Sequence, residues 1–166
     1  MWTILKFNKK EFFFLKKDFK EKLGKDLILY SPKILIEKKN QNKVFKKEFY
    51  ILGDYIFLYH KKVNQITLNN LKFSRGLKYF LEGFQSSQNE IETFINKCKS
   101  LENEKGFISQ NLFDIIKNER YKFLSGPFTS EIFKILEIQK NKINILIGNF
   151  NTYIKKKDYL FFPVKN

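Results

Sequence analysis

The stretch FYILGDYIFL at residues 49–58 holds two runs of bulky residues on either side of Gly53-Asp54. Aromatic and β-branched residues favour strands, and a Gly-Asp pair between two such runs is typical of a turn. We therefore predict a strand over residues 45–59 that is interrupted at Gly53-Asp54. The polar tract at residues 37–43 precedes it and predicts a lysine-rich hairpin tip.

The segments around this strand alternate between strand and helix patterns. An apolar stripe within residues 12–23 predicts a helix that ends at Gly24, and Ser87-Gln88-Asn89-Glu90 has the spacing of a capping box that opens another helix. The resulting order, β-α-β-β-α-β-α, predicts an α+β sandwich: an antiparallel or mixed sheet with helices on one face. The remaining predicted elements are strands at 2–7, 27–36 and 77–81 and a short amphipathic segment at 66–71.

The C-terminal part predicts a second, all-β domain. Five short β-type runs are separated by turn signals, and five strands in fewer than about fifty residues are typical of a small β-barrel. The pattern weakens after residue 100, although Leu112, Phe113, Ile115 and Ile116 could form a helical turn that docks on a domain. We therefore predict an N-terminal domain at 1–100, a linker at 101–118 and a barrel at 119–166. The five runs are Tyr121 to Leu124, Glu131 to Ile138, Lys142 to Ile147, Thr152 to Lys156 and Leu160 to Pro163.

The chain is strongly basic, with a formal net charge of +15. Residues 1–100 hold 21 Lys and Arg against 10 Asp and Glu, whereas residues 101–166 hold 11 against 7. This charge favours a polyanionic partner that lies near the N-terminal domain. The alternative is a solvated lysine surface, because the chain has no alanine and is dominated by Lys, Asn, Ile and Phe, as A/T-rich coding would produce.

Recognisable catalytic motifs are absent from the sequence. It has no Gly-rich phosphate loop, no GxSxG, no HExxH and no paired-cysteine metal spacing. We expect Cys98 to be buried on a helix stripe and His60 to be a partly exposed residue at a strand end. We predict no catalytic residue, metal or cofactor, and so no enzyme. Since no apolar run approaches the roughly 20 residues that span a bilayer, we expect a cytoplasmic protein with no membrane partner.

Three segments, in this order, resemble NusG-type transcription elongation factors: residues 53–58, Ser74-Arg75-Gly76-Leu77 and Ser125-Gly126-Pro127-Phe128. The resemblance covers nearly the whole chain. It implies a NusG N-terminal-like (NGN) domain at 1–100 and a KOW β-barrel at 119–166. The sequence departs from the family pattern at Gly53, where a proline is usual, and at Thr129-Ser130-Glu131, where family members have an aromatic residue and a glycine.

The resemblance also implies binding residues. In the RfaH branch of the family, the residues that match Tyr55 and Phe57 face outward and dock on the clamp helices of RNA polymerase; the alternative is that both belong to the core. Arg75 matches a residue on the surface that touches non-template DNA in the transcription bubble, and the alternative is an arginine that braces its loop. The lysines expected to extend this surface are Lys9, Lys10, Lys16, Lys17 and Lys72.

For the KOW domain, the resemblance implies a partner surface that includes Phe128 and Ile147, with a ribosomal protein or a termination factor as its partner. The implied function is a monomeric elongation and antitermination factor that binds RNA polymerase and non-template DNA and suppresses pausing. The alternative is a KOW-containing RNA-binding or ribosome-binding module. Residues 132–139 also have a spacing compatible with a helix, as in the fold switch of RfaH, although the alternation at residues 143–147 favours the barrel.

Overall fold

A computed structural model describes residues 1–40, 43–109 and 111–164. Residues 41 and 42 of the predicted hairpin tip lie outside the described residues. The elements follow in chain order: β1 (Trp2–Phe7), a 3-10 turn (Lys9–Glu11), α1 (Phe12–Leu23), β2 (Ile28–Tyr30), β3 (Lys33–Asn40), β4 (Lys43–Tyr50), β5 (Tyr55–Tyr59), α2 (Gln65–Leu71), β6 (Leu77–Phe80), α3 (Gln88–Ser100), β7 (Arg120–Phe123), β8 (Ile132–Ile138), β9 (Lys142–Ile147), β10 (Phe150–Lys155) and β11 (Phe161–Pro163).

The chain divides into two compact units. The first comprises residues 1–32 and 50–97, and the second comprises residues 33–49 and 98–166. The α+β class is confirmed, because helices accompany sheets in which β1, β2, β5 and β6 pair antiparallel.

The first unit is built on a four-stranded sheet with the strand order β2-β5-β1-β6. Strand β1 pairs with β5 so that Ile4 lies opposite Phe57 and Leu5 lies opposite Ile56. Since successive side chains point to opposite faces, Phe57 and Ile56 belong to different faces of the sheet. Both are buried, so both faces require cover.

Helices cover this sheet on both faces, whereas we predicted helices on one face. From α1, Phe19 stacks on Phe80 of β6, which lies on the Leu5 face. From α3, Phe94 contacts Phe57 on the opposite face, with 5.8 Å between ring centroids. The strand sequences explain the difference, because apolar residues occupy both alternating sets of positions in β5.

The second unit contains a five-stranded antiparallel sheet with the order β10-β9-β8-β7-β11. All five strands lie within two residues of their predicted ends, and residues 132–138 are a strand rather than a helix. Closure of this sheet into a barrel stays a prediction, since no pairing between β10 and β11 is found in the described chain. The core residues are Tyr121, Phe123, Phe133, Ile135, Ile143, Ile145, Ile154 and Phe161.

The hairpin formed by β3 and β4 belongs to the second unit, which differs from the predicted domain at 1–100. The amide of Ile108 donates to the carbonyl of Lys33 at 2.8 Å, and the amide of Glu37 donates to the carbonyl of Leu124 at 3.3 Å. These bonds join segments that are distant in sequence. A boundary predicted from local composition therefore misses them.

The predicted linker at 101–118 packs into the second unit but forms no helical turn in its described part. Ile108 and Leu112 are buried, and Ile115 packs against the core of the five-stranded sheet. The amide of Ile116 donates to the hydroxyl of Tyr121 at 2.9 Å. Leu112 and Ile115 of the predicted docking residues therefore pack inward, whereas Phe113 and Ile116 are exposed.

Two further expectations had different outcomes. Cys98 is fully buried, as predicted. His60 is also buried, so the expectation of partial exposure was wrong; its Nδ1 accepts a hydrogen bond from the amide of Lys62 at 3.2 Å. None of the described helices combines the length and apolar character needed to cross a bilayer.

Candidate binding surfaces

The turn at Ser74-Arg75-Gly76 is held against the start of α1. The amide of Asn8 donates to the carbonyl of Gly76 at 2.8 Å. Gly76 has a φ of +85°, and a Cβ placed there would lie 2.9 Å from Glu11 Cβ and 3.0 Å from the Glu11 carbonyl oxygen. Both the left-handed backbone and the close approach require glycine.

Arg75 is braced on one side and open on the other. Its amide donates to Asp18 Oδ2 and its Nε donates to Glu11 Oε1, both at 3.0 Å. The guanidinium carbon lies 3.9 Å from the centre of the Phe14 ring, which is a cation–π contact. The side chain nevertheless stays exposed.

This geometry contains elements of both interpretations of Arg75. The arginine does brace its turn, and the acceptors are the carboxylates of Glu11 and Asp18. In the described chain, Glu11 is the one carboxylate within ion-pair distance of the guanidinium, and it is reached by Nε. The two terminal amino groups are therefore left for a ligand, as a bidentate contact to a phosphate or a base edge requires.

Exposed phenylalanines lie near this arginine, either along the chain or in contact with Phe14, and sequence reasoning missed them. Phe13 is 70% exposed, and Phe73, two residues before Arg75, is 92% exposed. Phe14, whose ring contacts the guanidinium of Arg75, is partly exposed as well. A signal was present for Phe13, which lies off the apolar stripe of α1. Flat apolar rings beside cations are the composition of surfaces that stack single-stranded bases.

All five predicted lysines of this surface are exposed. Lys9 and Lys10 lie in the 3-10 turn that also holds Glu11, the ion-pair partner of Arg75, and Lys72 lies three residues before that arginine. Lys17 forms an ion pair with Glu21 at 3.9 Å, so it is less available than the other lysines to contact a phosphate. The remaining lysine of the five, Lys16, lies 4.9 Å from the Phe12 ring centroid.

Lys22, which we did not predict, supports the turn from α1. Its Nζ donates to Ser74 Oγ at 3.0 Å and to the carbonyl of Asn70 at 3.3 Å. Ser74 itself is buried. The turn is thus fixed before any ligand binds, which lowers the entropy cost of binding.

The predicted pair Tyr55 and Phe57 does not form an exposed anchor. Tyr55 is half-buried, but Phe57 is only 4% exposed. The Phe57 ring lies among those of Trp2, Tyr30 and Phe94, with centroid distances between 5.8 and 6.4 Å. The two residues share a face of the sheet, but α3 covers Phe57, so its outward orientation was predicted wrongly.

Tyr79, from β6, is the aromatic neighbour of Tyr55 on the open part of this face. Their hydroxyl oxygens lie 3.1 Å apart, and Lys6 Nζ lies 5.1 Å from the centre of the Tyr55 ring. Asp54 lies 3.9 Å from Lys6 and 3.5 Å from Lys78. We call these five residues the tyrosine cluster.

Hydrogen bonds within the tyrosine cluster shift the pKa values of its tyrosines and of Lys6. The bond with Tyr79 lowers the pKa of Tyr55, and the same bond raises the pKa of Tyr79. The hydrogen bond with Tyr55 raises the pKa of Lys6. Tyr55 therefore loses its proton at a lower pH than Tyr79 does.

The predicted partner-surface residues of the second unit are both half-buried. Phe128 packs on Phe123 and Tyr159, with centroid distances of 5.7 and 6.1 Å. Ile147 lies opposite Phe150 across the turn between β9 and β10, and Phe150 is exposed. Binding of a partner by Phe128 and Ile147 stays a prediction.

No group of three or more His, Cys, Asp and Glu side chains suited to a metal occurs in the part of the chain that the structure describes. No protein-family model and no curated protein matches the chain.

Alignments with solved structures extend over nearly the whole chain. The MjSpt4:Spt5 complex aligns in conformation B over 100% of this chain and 99% of its own, with 12% identity and a TM-score of 0.29. In conformation A it aligns over 99% and 98%, with 13% identity and a TM-score of 0.30. Thermotoga maritima NusG aligns over 93% and 91%, with 17% identity and a TM-score of 0.31. We draw no function from likenesses at this level.

Proposed function

We propose that this protein is a NusG-type transcription elongation factor that binds RNA polymerase and the non-template DNA strand. The observation that carries the proposal is the surface around Arg75. The protein itself holds this arginine in place, and exposed phenylalanines and lysines lie beside it. The chain's resemblance to that family supports the same interpretation. Because no covalent chemistry is implied, the factor would act by binding the elongating state better than the paused state.

The non-template strand is the ligand that fits the Arg75 surface. Single-stranded DNA offers phosphates for the lysines and unstacked bases for Phe13 and Phe73. Duplex DNA offers phosphates but hides its base faces in the stack. The exposed rings therefore favour the displaced strand of a transcription bubble.

RNA polymerase would dock on the tyrosine cluster. Tyr55 remains a contact residue, Tyr79 takes the place that we assigned to Phe57, and Lys6 adds a positive charge. Tyrosines are frequent interface hot spots because they combine a large apolar ring with a hydroxyl. The second unit would recruit another protein near Phe128 and Ile147. Cytoplasmic location, the monomeric state and the absence of enzyme activity stay parts of this proposal.

The second candidate is an RNA-binding or ribosome-binding module, which the positive charge of the chain also favours. Purification of the tagged chain from native extract, with nuclease added, separates the two. We expect RNA polymerase to stay bound after nuclease treatment and to be reduced at least tenfold by Tyr55→Ala with Tyr79→Ala. Retention of ribosomes or ribosomal RNA without polymerase would support the second candidate instead.

Phe73→Ala is expected to weaken binding of single-stranded DNA by about 1–3 kcal/mol, because it removes one stacking surface for a base. Since Phe73 is 92% exposed, the free energy of unfolding should be nearly unchanged. Fluorescence anisotropy with a labelled 12-mer measures the affinity, and urea unfolding measures stability. Phe150→Ala, at an exposed phenylalanine of the second unit, is the matched control. Equal affinities of the two variants would remove Phe73 from the DNA site.

A further inference from the structure

Strand β4 presents an aromatic and basic face in the second unit. Every residue from 45 to 50 is exposed. Phe45, Lys47 and Phe49 alternate along the strand and so point to the same side. The two phenylalanines are 53% and 42% exposed, respectively, although phenylalanine is normally a core residue.

The hairpin also carries an excess of positive charge. Residues 33–49 contain six lysines and two glutamates. Both glutamates have partners: Glu48 lies 3.3 Å from Lys33, and Glu37 lies 3.9 Å from Lys46. Among the described side chains, no carboxylate lies within ion-pair distance of Lys47, the lysine between the two phenylalanines.

This combination selects the chemistry of the partner. A purely apolar partner would bury Lys47 without a counter-charge, which is costly. A double helix would supply phosphates but no free base faces. A single-stranded nucleic acid supplies both, and Phe45 and Phe49, about 13 Å apart along the strand, are far enough apart to stack separate bases.

We propose that the face of β4 that carries Phe45, Lys47 and Phe49 binds single-stranded RNA, with a base stacked on each phenylalanine and a phosphate near the lysine. The choice of RNA rests on the proposed function, in which the Arg75 surface takes the DNA strand and the transcript is the other single strand. The site itself rests on the exposure and charge of β4.

The test uses the full chain and a labelled 12-mer of uridine. Phe45→Thr with Phe49→Thr keeps β-prone residues and is expected to raise the Kd at least about 25-fold, since each lost stack accounts for about fivefold or more. Lys47→Gln is expected to reduce the slope of log K against log salt by about 0.7. Tyr153→Thr on β10 removes an exposed aromatic elsewhere in the unit and is the matched control.

Crosslinking locates the site. RNA that carries 4-thiouridine is irradiated with the Arg75→Ala protein, and the crosslinked peptide is identified by mass spectrometry. Crosslinks at residues 45–49 support the proposal. It is overturned if the double variant changes the Kd less than twofold, if only the DNA 12-mer binds, or if the variant instead abolishes self-association of a protein that binds no RNA. Because no polymerase is present, failure here is distinguishable from failure of the polymerase proposal.

Discussion

Phe57→Ala is expected to lower the free energy of unfolding by about 3–5 kcal/mol, the usual cost of removing a buried phenylalanine ring. Phe57 lies in the core of the first unit, where Trp2, Tyr30 and Phe94 surround its ring. A loss of this size is a large part of the stability of a small domain. Urea unfolding followed by circular dichroism measures it.

Tyr55→Ala is the matched control, because it removes a ring from the same face of the same strand. Tyr55 is half-buried and its hydroxyl bonds to Tyr79, so we expect a loss of about 0.5–1.5 kcal/mol. The two variants should thus separate stability from binding: Phe57→Ala strongly destabilises the unit, whereas Tyr55→Ala costs little stability and weakens polymerase retention. A stable Phe57→Ala protein with a selective binding defect would restore Phe57 as an exposed contact.

Gly76→Ala is expected to cost about 2–4 kcal/mol of unfolding free energy. The left-handed backbone at φ +85° accounts for about 1–2 kcal/mol, and the contact of 2.9 Å between a new Cβ and Glu11 Cβ adds strain. Because Gly76 positions Arg75, the affinity for single-stranded DNA should fall as well.

Gly83→Ala is the control for Gly76→Ala, since Gly83 has a similar φ of +74° but no described atom within 4 Å of the position that a Cβ would take. Gly83→Ala should lower the free energy of unfolding only by the cost of the left-handed backbone, and it should leave DNA binding unchanged. Thermal unfolding and anisotropy on both variants provide the comparison. If the two substitutions cost the same, the close packing of the turn against Glu11 is not what holds it.

Local patterns were sufficient for the strands of the second unit. The alternation of Ile143 and Ile145, followed by the turn at Gly148-Asn149, placed β9 and β10 to within two residues. Such patterns depend only on residues that are close together in the sequence. The assignment of the β3–β4 hairpin to the second unit could not be read from neighbouring residues, because Lys33 accepts a hydrogen bond from Ile108 and Glu37 donates one to Leu124, more than seventy positions away.

The candidate sites were predicted only in part, because they too depend on packing between segments that are distant in sequence. Alternation places Tyr55 and Phe57 on one face, but it does not say which part of that face α3 covers. Arg75 was identified through the resemblance of Ser74-Arg75-Gly76-Leu77 to the NusG family, and the chain has one other arginine among its 32 basic residues. The exposure of Phe73 depends on how the turn packs, and its sequence neighbours gave no sign of it.

The central claim is tested most directly by crosslinking from position 75 in an elongation complex reconstituted with RNA polymerase from the same cells. A photoreactive residue at position 75 should crosslink to the non-template strand within the bubble, and Phe73→Ala should reduce the yield. Polymerase is shown to be bound in the same sample by gel shift. The absence of any crosslink to the non-template strand, with the protein bound to polymerase, would contradict the account and leave Arg75 as a residue that braces its turn.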